Sequence, residues 1–466
     1  MAHSDIVVAT SRSPRPQLTT TLAMLLALCA LPAEGADRDL FPRPASLQPA
    51  IDFWTRVYTE VDSRAGYVHD NRNLNIVYEK LQFKWYSSPE DQERAIEQAI
   101  QRYQRALQAL AGSNFKDLTD DEKKVLVLWG EDTTPDVLQA AKGNVRFQRG
   151  QADRVRDGIV RAGAWEDHIR QTLRDAGLPG ALAALPHVES SYHPRVRSPI
   201  GAAGLWQFTL FTGKHYLQID QVLDERYDPL KSTQAAARLL ERYYSVLKSW
   251  PLAITAYNHG MSGVRRAVRE TGSTDIGDIV RNYRGPRFGF ASRNFYAAFV
   301  AAMDVTGRSS QYFGELERHP PEGDRIVKVP AFVPVASLSQ HLDVDAALLK
   351  KLNPSLQHAV WNGSKYVPKG YDLRLPADAA IEDASTLVEQ IAIAEGRLTQ
   401  LPDRYYKVQR GDTLSDIAQR YKVSVRDLMA MNNVSNKNRI HAGQSLLLPG
   451  ASAAALFLGE PSVSGS

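Results

Sequence analysis

The sequence predicts a mainly α-helical protein that ends in two small α+β repeats. Apolar residues recur at helical spacing, strand-like alternation is scarce before residue 325, and an internal repeat follows Pro320-Pro321. These observations divide the chain into segments with predicted bounds: a signal peptide at 1–36, a helical N-terminal region at 37–145, a central helical domain at 146–310, a first repeat at 324–378, a helical spacer at 379–403, a second repeat at 404–449 and a disordered tail at 450–466.

Residues 1–36 have the pattern of a secretory signal peptide. Arg12 and Arg15 precede an apolar run over 18–31, and small residues follow it, with the expected cleavage after Gly35. A membrane anchor is the alternative, but the run is shorter than the roughly 20 residues that a spanning helix needs. We therefore expect an exported protein of the periplasm or cell envelope.

Cys29 is the only cysteine of the chain and lies within this segment. A lipidated cysteine normally follows a small residue, and Leu28 is not small. We therefore expect membrane association only if Cys29 is lipidated or the signal peptide stays uncleaved. The cleaved chain has no thiol, which excludes disulfides and cysteine metal sites.

The composition is that of an ordinary globular protein. Hydrophobic residues make up 43% and charged residues 23% of the 466 positions, which is enough for a core in each of several domains. The formal net charge of +4 is small for this length, and no long basic run appears. Nothing in the charge pattern therefore indicates a nucleic-acid partner.

An internal repeat makes up the C-terminal third. Residues 405–433 align with residues 325–354 at an offset of 79, and apolar positions match throughout. Each copy closes with a short strand that ends in proline, "GYDLRLP" and "GQSLLLP". Each copy is predicted to run strand, helix, helix, strand, and capping boxes at Thr413 and Ser424 open the two helices of the second copy.

A lone carboxylate, Glu189, lies between two histidines in "LPHVESSYHP" (185–194). A metal site is not expected, because His187 and Glu189 would point to different sides of a helix and His193 follows the helix. Glu189 instead lies at the end of an apolar stripe formed by Leu182 and Leu185, so burial should raise its pKa to that of a general acid. The alternative is a partly exposed glutamate at a helix end.

The spacing of acidic residues favours one catalytic carboxylate. Two-carboxylate glycosidases need a second Asp or Glu across the scissile bond. No acidic residue lies between Glu189 and Asp220. A single carboxylate would then act first as acid and then as base.

Several motifs around Glu189 occur together within about 110 residues: "ES" at 189–190, "SPIGAAGLWQF" at 198–208, "SWPLAITAYNHG" at 249–260 and Phe295-Tyr296. In this order they resemble the lytic transglycosylases of the lysozyme-like superfamily. The resemblance implies a lysozyme-like domain in which Glu189 is the catalytic acid and no metal or cofactor takes part. It implies substrate-binding roles for Ser190, Gly201, Gly204, Trp206, Gln207, Tyr257, Asn258 and Tyr296. Core packing is an equal alternative for Trp206.

The second repeat resembles a LysM domain in its opening "V-x-x-GDTL-x-x-IA" and in the "L-x-x-NN" at the end of its second helix. LysM domains bind glycans that contain N-acetylglucosamine, mainly peptidoglycan. The resemblance implies glycan contacts at Gly411, Asp412, Thr413 and Asn432. The first copy has Phe332-Val333-Pro334 in place of Gly-Asp-Thr, so it is predicted to be a degenerate repeat that is structural or weakly binding.

The resemblances together imply an exported peptidoglycan lytic transglycosylase. It would cleave the β-1,4 bond between N-acetylmuramic acid and N-acetylglucosamine and leave 1,6-anhydro ends, while the second repeat, on a spacer that acts as a tether, holds the polymer. Two alternatives stay open: a non-catalytic peptidoglycan-binding protein and a hydrolytic muramidase. The expected partner is the peptidoglycan glycan strand.

Overall fold

The computed structural model describes residues 40–112, 115–130, 132–321, 325–377, 383–402 and 404–448. The chain divides into two compact units, 1–42 and 43–466. Of the first unit, only residues 40–42 are among those described. The predicted signal peptide, Cys29 and the predicted tail lie outside the described residues.

The N-terminal region is not purely helical as predicted. A three-stranded antiparallel sheet with the order β2-β1-β3 lies among its helices. The elements are α1 (Gln48–Thr59), β1 (Ala65–Asp70), β2 (Val77–Gln82), α2 (Pro89–Ala111), α3 (Asp120–Trp129), α4 (Pro135–Lys142) and β3 (Val145–Arg149). Every residue of β1 is buried. A strand that is buried on both faces shows no apolar–polar alternation, which is why the sequence pattern did not indicate it.

The central domain is helical, as predicted. Its helices are α5 (Ala152–Ala162), α6 (Glu166–Asp175), α7 (Leu185–Ser190), α8 (Leu210–Gly213), α9 (Pro229–Leu247), α10 (Trp250–His259), α11 (Met261–Thr271), α12 (Ile276–Asn282), α13 (Phe290–Gly307) and α14 (Ser309–Phe313). Helix α13 is apolar on almost every side and packs against α1, α7 and α10. The N-terminal region and the central domain are therefore joined along α13.

Both repeats have the predicted strand–helix–helix–strand order, and the first holds one further short helix. The first repeat has β4 (Arg325–Lys328), α15 (Val335–His341), α16 (Ala346–Leu352), α17 (His358–Trp361) and β5 (Asp372–Leu375). The spacer helix α18 (Ala384–Glu395) precedes β6 (Arg404–Lys407), α19 (Leu414–Arg420), α20 (Val425–Met431) and β7 (Ser445–Leu448). Strand β4 pairs antiparallel with β5, and β6 with β7. The fold class predicted from the sequence is confirmed.

The first repeat is docked on the central domain. Leu223 of the central domain belongs to the buried apolar cluster of the repeat and forms an isolated bridge with Leu356. Arg374 of β5 and Asp228 at the start of α9 form an ion pair of 2.5 Å in which both side chains are buried. The first repeat and the central domain therefore form a buried interface that contains both apolar contacts and an ion pair.

The spacer helix also packs on the first repeat. Val388 and Ile391 of α18 are buried in the apolar cluster of that repeat. Leu398 lies beyond the end of the helix and is 96% exposed. Within the ranges that the structure covers, there is no helix with the length and apolar character required to cross a bilayer.

Candidate active site

Glu189 lies in the last turn of the short helix α7. The helix runs from Leu185 to Ser190, and the residue that caps its end, Ser191, adopts a left-handed conformation. Arg161 donates hydrogen bonds to the Ser191 carbonyl oxygen at 2.8 and 3.1 Å. This fixes the C-terminal end of α7 and with it the direction of the Glu189 side chain.

The histidines on either side of Glu189 are not arranged as metal ligands. The ring of His187 is buried against that of Tyr192, with centroids 4.4 Å apart, and burial lowers its pKa to about 4. His193 follows α7 and is exposed. No group of three or more His, Cys, Asp or Glu side chains within the described residues could hold a metal ion.

The carboxyl group of Glu189 has the electrostatics of a general acid. Burial alone raises its pKa to about 8, and no other charged group contributes to the shift. The residue is nevertheless partly exposed, so solvent or a ligand reaches it. At neutral pH most molecules therefore carry a proton on Glu189, in a position from which it can be donated.

A loop over residues 196–208 lies next to Glu189 and is held by two hydroxyl groups. Ser190 donates a hydrogen bond of 2.8 Å to the Leu205 carbonyl oxygen. Tyr257, from α10, donates one of 2.7 Å to the Trp206 carbonyl oxygen. The side chains of Ser190 and Tyr257 thus position the loop, and the pKa of Tyr257 is raised by burial and then by the negative charge of Glu189.

Gly201 and Gly204 shape this loop from within. Both have positive φ, +84° and +78°. Their amides donate to the carbonyl oxygens of Ser198 and Val196, at 2.9 and 3.0 Å. Both backbone amides are therefore hydrogen-bonded within the loop and are not free to bind a glycan. This differs from the substrate-binding role predicted for the two glycines.

Gln207 is half-buried at the end of the loop. Its side-chain nitrogen donates to the Gly204 carbonyl oxygen at 2.8 Å, which leaves the side-chain oxygen for a ligand. Asn258 is exposed at the end of α10, and its side-chain oxygen accepts a hydrogen bond from Ser292 at 3.0 Å. Both amides lie on elements that adjoin Glu189, where they could contact sugar substituents.

Two aromatic residues predicted to bind substrate lie in the core instead. Trp206 is 0% exposed, and its indole nitrogen donates to Thr233 at 2.9 Å. Tyr296 is 1% exposed and packs with Phe299 within α13. Neither ring can stack on a sugar from these positions, because no face is open to solvent.

Tyr58 was missed by the sequence prediction. It lies on α1, and its pKa is raised by burial and by the charge of Glu189, which places its hydroxyl within electrostatic reach of that carboxylate. The residue stands in an ordinary amphipathic helix 131 positions before Glu189. Only the packing of α1 along α13 brings the two together, so no local pattern could have indicated it.

The residues predicted to bind glycan in the second repeat mostly stabilise its own loops. Asp412 accepts hydrogen bonds of 2.7 Å from the Tyr406 hydroxyl and from the Gln409 amide, and Thr413 caps α19 in a complete capping box. Asn432 bonds to the backbone of Leu428 and of Leu447. Exposed Gly411 and its neighbouring backbone are thus the part of this loop that a ligand can approach.

The equivalent loop of the first repeat is covered by its own chain. Phe332 exchanges backbone hydrogen bonds with Arg397, just after α18, and Val333 does so with Val367. The backbone amides and carbonyl groups of Phe332 and Val333, which align with Gly411 and Asp412 of the second repeat, are therefore already hydrogen-bonded within the chain. This arrangement supports the prediction that the first repeat is degenerate.

Comparison with known proteins gives two domain matches. The model of the Transglycosylase SLT domain matches residues 168–280, and that of the LysM domain matches residues 406–449. Membrane-bound lytic murein transglycosylase D of Escherichia coli (strain K12) is 28% identical over 312 residues, which cover 64% of this chain. The match spans 66% of the length of that relative.

Two solved structures are also similar. An inactive variant of the lytic transglycosylase Slt from Pseudomonas aeruginosa is 18% identical, with a TM-score of 0.27, over 34% of this chain and 25% of the other. The 70 kDa soluble lytic transglycosylase of Escherichia coli is 16% identical, with a TM-score of 0.28, over 61% of this chain and 54% of the other.

Proposed function

We propose that this chain, which carries a transglycosylase SLT domain and a LysM domain, is a peptidoglycan lytic transglycosylase of the cell envelope. The observation that carries the proposal is the position of Glu189 inside the SLT match, in a partly exposed site where burial raises the pKa of its carboxyl group to about 8. Its substrate is the β-1,4 bond from N-acetylmuramic acid to N-acetylglucosamine, and its product is a 1,6-anhydro end.

Glu189 acts twice in the proposed reaction. Its carboxyl group first gives its proton to the bridging oxygen, and the bond from that oxygen to C1 breaks while the N-acetyl oxygen of the substrate bonds to C1. The resulting Glu189 carboxylate then takes the proton of the 6-hydroxyl group, whose oxygen attacks C1 and displaces the N-acetyl oxygen. Glu189 gives one proton and takes one back, so a single side chain serves as both acid and base. Burial raises its pKa to about 8, which suits both roles near neutral pH.

Neighbouring groups have supporting roles. Gln207 and Asn258 hold the sugar substituents, and the loop fixed by Ser190 and Tyr257 shapes the wall of the site. Tyr58 lies within electrostatic reach of Glu189 and is buried, so its proposed role is to set the environment of that carboxyl group. The second repeat keeps the enzyme on the polymer.

Mass spectrometry of the products tests the proposal. Purified sacculi treated with the protein should release fragments with anhydro ends, and a hydrolytic muramidase would instead give reducing ends that are heavier by one water. Glu189→Gln should abolish release while binding to sacculi persists, because the amide cannot donate and recover a proton. Binding without turnover by the unaltered protein would identify a non-catalytic peptidoglycan-binding protein.

A further inference from the structure

A polar cavity lies between the N-terminal region and the central domain. Its volume is about 180 Å³. Its polar lining consists of Ser46, Asn71, Arg72, Asn73, Arg293 and Asn294, and no acidic side chain lines it. A cavity that combines arginines and amides without a carboxylate has the chemistry of an anion site.

Arg293 is the centre of this cavity. It is 9% exposed, and its guanidinium donates to the side-chain oxygen of Asn71 at 3.1 Å and, more weakly, to the Asn71 carbonyl oxygen at 3.4 Å. No carboxylate among the described residues lies within ion-pair distance of it. A buried cation whose partners are neutral is unfavourable unless an anion joins it.

More positive charge surrounds Arg293. Burial, together with the charges of Arg72 and Arg284, lowers the pKa of Arg293 to about 10, and Arg146 adds to this effect. Asp70 is the acidic group that acts on Arg293, and two backbone amides at 2.7 Å, those of Arg72 and Asn73, already hold one of its oxygens. At Arg293, the charge of Asp70 is therefore opposed by those of three other arginines.

The first turn of α13 connects this cluster to the active site. Ser292 donates a hydrogen bond to Asn258, which lies in the candidate active site, and the next residue is Arg293. Phe290, in the same turn, lies under the guanidinium of Arg146, 4.3 Å from its carbon to the ring centre. Asn258 and the arginine cluster are thus connected through consecutive residues of one helical turn.

We propose that Arg72 and Arg293, which line the cavity, form with the neighbouring Arg284 a subsite for a carboxylate on the peptide stem that peptidoglycan strands carry. The inference rests on the proposed function, because it assumes a peptidoglycan strand at Glu189. Arginines bind carboxylates through paired hydrogen bonds, and the subsite would hold the strand without touching the scissile bond. The enzyme would therefore prefer strands with charged stems.

Kinetics on a matched pair of substrates test the subsite. Soluble strands are used with free stem carboxylates, and again after carbodiimide coupling to methylamine, which turns the carboxylates into neutral amides. The full protein should have a KM about tenfold lower on the free form and a similar kcat on both, since one charge-assisted contact contributes roughly this factor. The double variant Arg72→Gln/Arg284→Gln should raise KM on the free form and leave the amidated form unchanged. Both side chains are exposed, so the variant should fold.

The controls separate this subsite from general charge effects. Arg281→Gln removes an exposed arginine that pairs with Asp278 and should change neither KM. Equal KM values of the unaltered protein on the two substrates, or a loss in Arg281→Gln as large as in the double variant, would overturn the inference. Inorganic phosphate that binds more tightly than the free fragments in calorimetry would point to a free anion and would also overturn it. Absence of anhydro products from both substrates would reject the proposed function instead, and calorimetry with free and amidated fragments would still measure the subsite.

Discussion

Glu189 shows how burial of one side chain serves chemistry at the expense of stability. Its pKa of about 8 lies well above the roughly 4.3 of a glutamate in an unfolded chain. The folded protein therefore binds this proton more tightly than the unfolded chain does. Between these two values, stability must fall as pH rises, because folding then requires a proton that the solvent supplies less readily.

Glu189→Gln should therefore stabilise the protein at high pH. The neutral amide cannot be deprotonated, so we expect a gain of about 1–3 kcal/mol in the free energy of unfolding at pH 9 and little change at pH 4. Thermal or urea unfolding at the two pH values measures the difference. A gain of the same size at pH 4 would show that the effect does not come from ionisation of Glu189.

The pH profile of the reaction should depend on the same group. Because Glu189 must be protonated to act as the acid, we expect kcat/KM to fall as pH rises through about 8. Initial rates on soluble glycan strands between pH 6 and 10 provide the test. A rate that rises through this range would contradict the role of Glu189 as the acid.

Gly204 and Gly201 offer a matched pair of substitutions in the loop beside Glu189. A Cβ atom at Gly204 would lie 1.7 Å from the Arg226 carbonyl oxygen, whereas at Gly201 the nearest atom would be the end of the Arg197 side chain at 3.8 Å. Both φ angles are positive, so Gly201→Ala should cost about 1 kcal/mol and Gly204→Ala about 3 kcal/mol or more. Urea unfolding measures both. Equal losses would mean that the contact with Arg226 does not constrain Gly204.

The sequence predicts the chemistry of single residues better than their exposure. The apolar stripe formed by Leu182 and Leu185 was enough to predict a raised pKa for Glu189. The sequence left core packing and sugar stacking equally open for Trp206, which is buried, and it did not predict the burial of Tyr296, because an aromatic residue in a motif has the same local pattern whether it faces the core or the solvent. Tyr58 depends on the packing of two distant helices.

At the level of elements, the two repeats share one structural device. Asn353 and Asn432 each end the second helix and bond to the backbone of the last strand. The match of these positions at the offset of 79 was visible in the sequence, and the role predicted for Asn432 was glycan binding. The presence of the same contacts in the degenerate repeat indicates a structural role.

Asn432→Ala should therefore destabilise the second repeat. It leaves the Leu447 amide and the carbonyl oxygens of Leu428 and Leu447 without partners, which should cost about 1–3 kcal/mol. Hydrogen exchange of residues 404–448 in the full chain should show the loss, and Asn438→Ala, at an exposed asparagine, is the control. Weaker binding to sacculi with unchanged exchange would favour the original glycan-binding assignment.

At the scale of the whole molecule, the first repeat belongs structurally with the central domain. The boundary at residue 324 follows a real change in sequence pattern, but periodicity carries no information on docking between domains. The Asp228–Arg374 pair and the position of Leu223 in the core of the repeat required the three-dimensional structure. The spacer at 379–403, expected to act as a tether, is docked as well: α18 packs on the repeat, and Arg397 and Gln400 beyond it hydrogen-bond to Phe332 and Tyr366 of that repeat.

Two truncated proteins distinguish the docking of the first repeat on the central domain from the binding of the second repeat to peptidoglycan. Removal of 403–466 should impair turnover of insoluble sacculi and leave kcat on short soluble fragments nearly unchanged, because the second repeat raises the local substrate concentration only. Removal of 324–466 should in addition lower the free energy of unfolding by about 1.5–3 kcal/mol, because it exposes Leu223 to water, while Asp228 loses Arg374 but is hydrated in its place.

Thermal unfolding and rates on soluble fragments measure these effects. Equal unfolding temperatures for the two truncated proteins would show that the docked repeat contributes no stability. A lower kcat on soluble fragments after removal of 403–466 would place part of the second repeat in the active site.

The packing of α18 on the first repeat, together with the hydrogen bonds of Arg397 and Gln400 beyond it, makes the spacer a rigid arm. Val388 and Ile391 are buried in the repeat, and the repeat is fixed to the central domain by its ion pair with Asp228. In an enzyme that holds its polymer at the end of such an arm, the distance between the bound sugar and the cleaved bond is fixed. Cleavage would then recur at a preferred number of sugar units from the point of attachment, and the fragments would have a narrow size distribution instead of the broad one that a flexible chain allows.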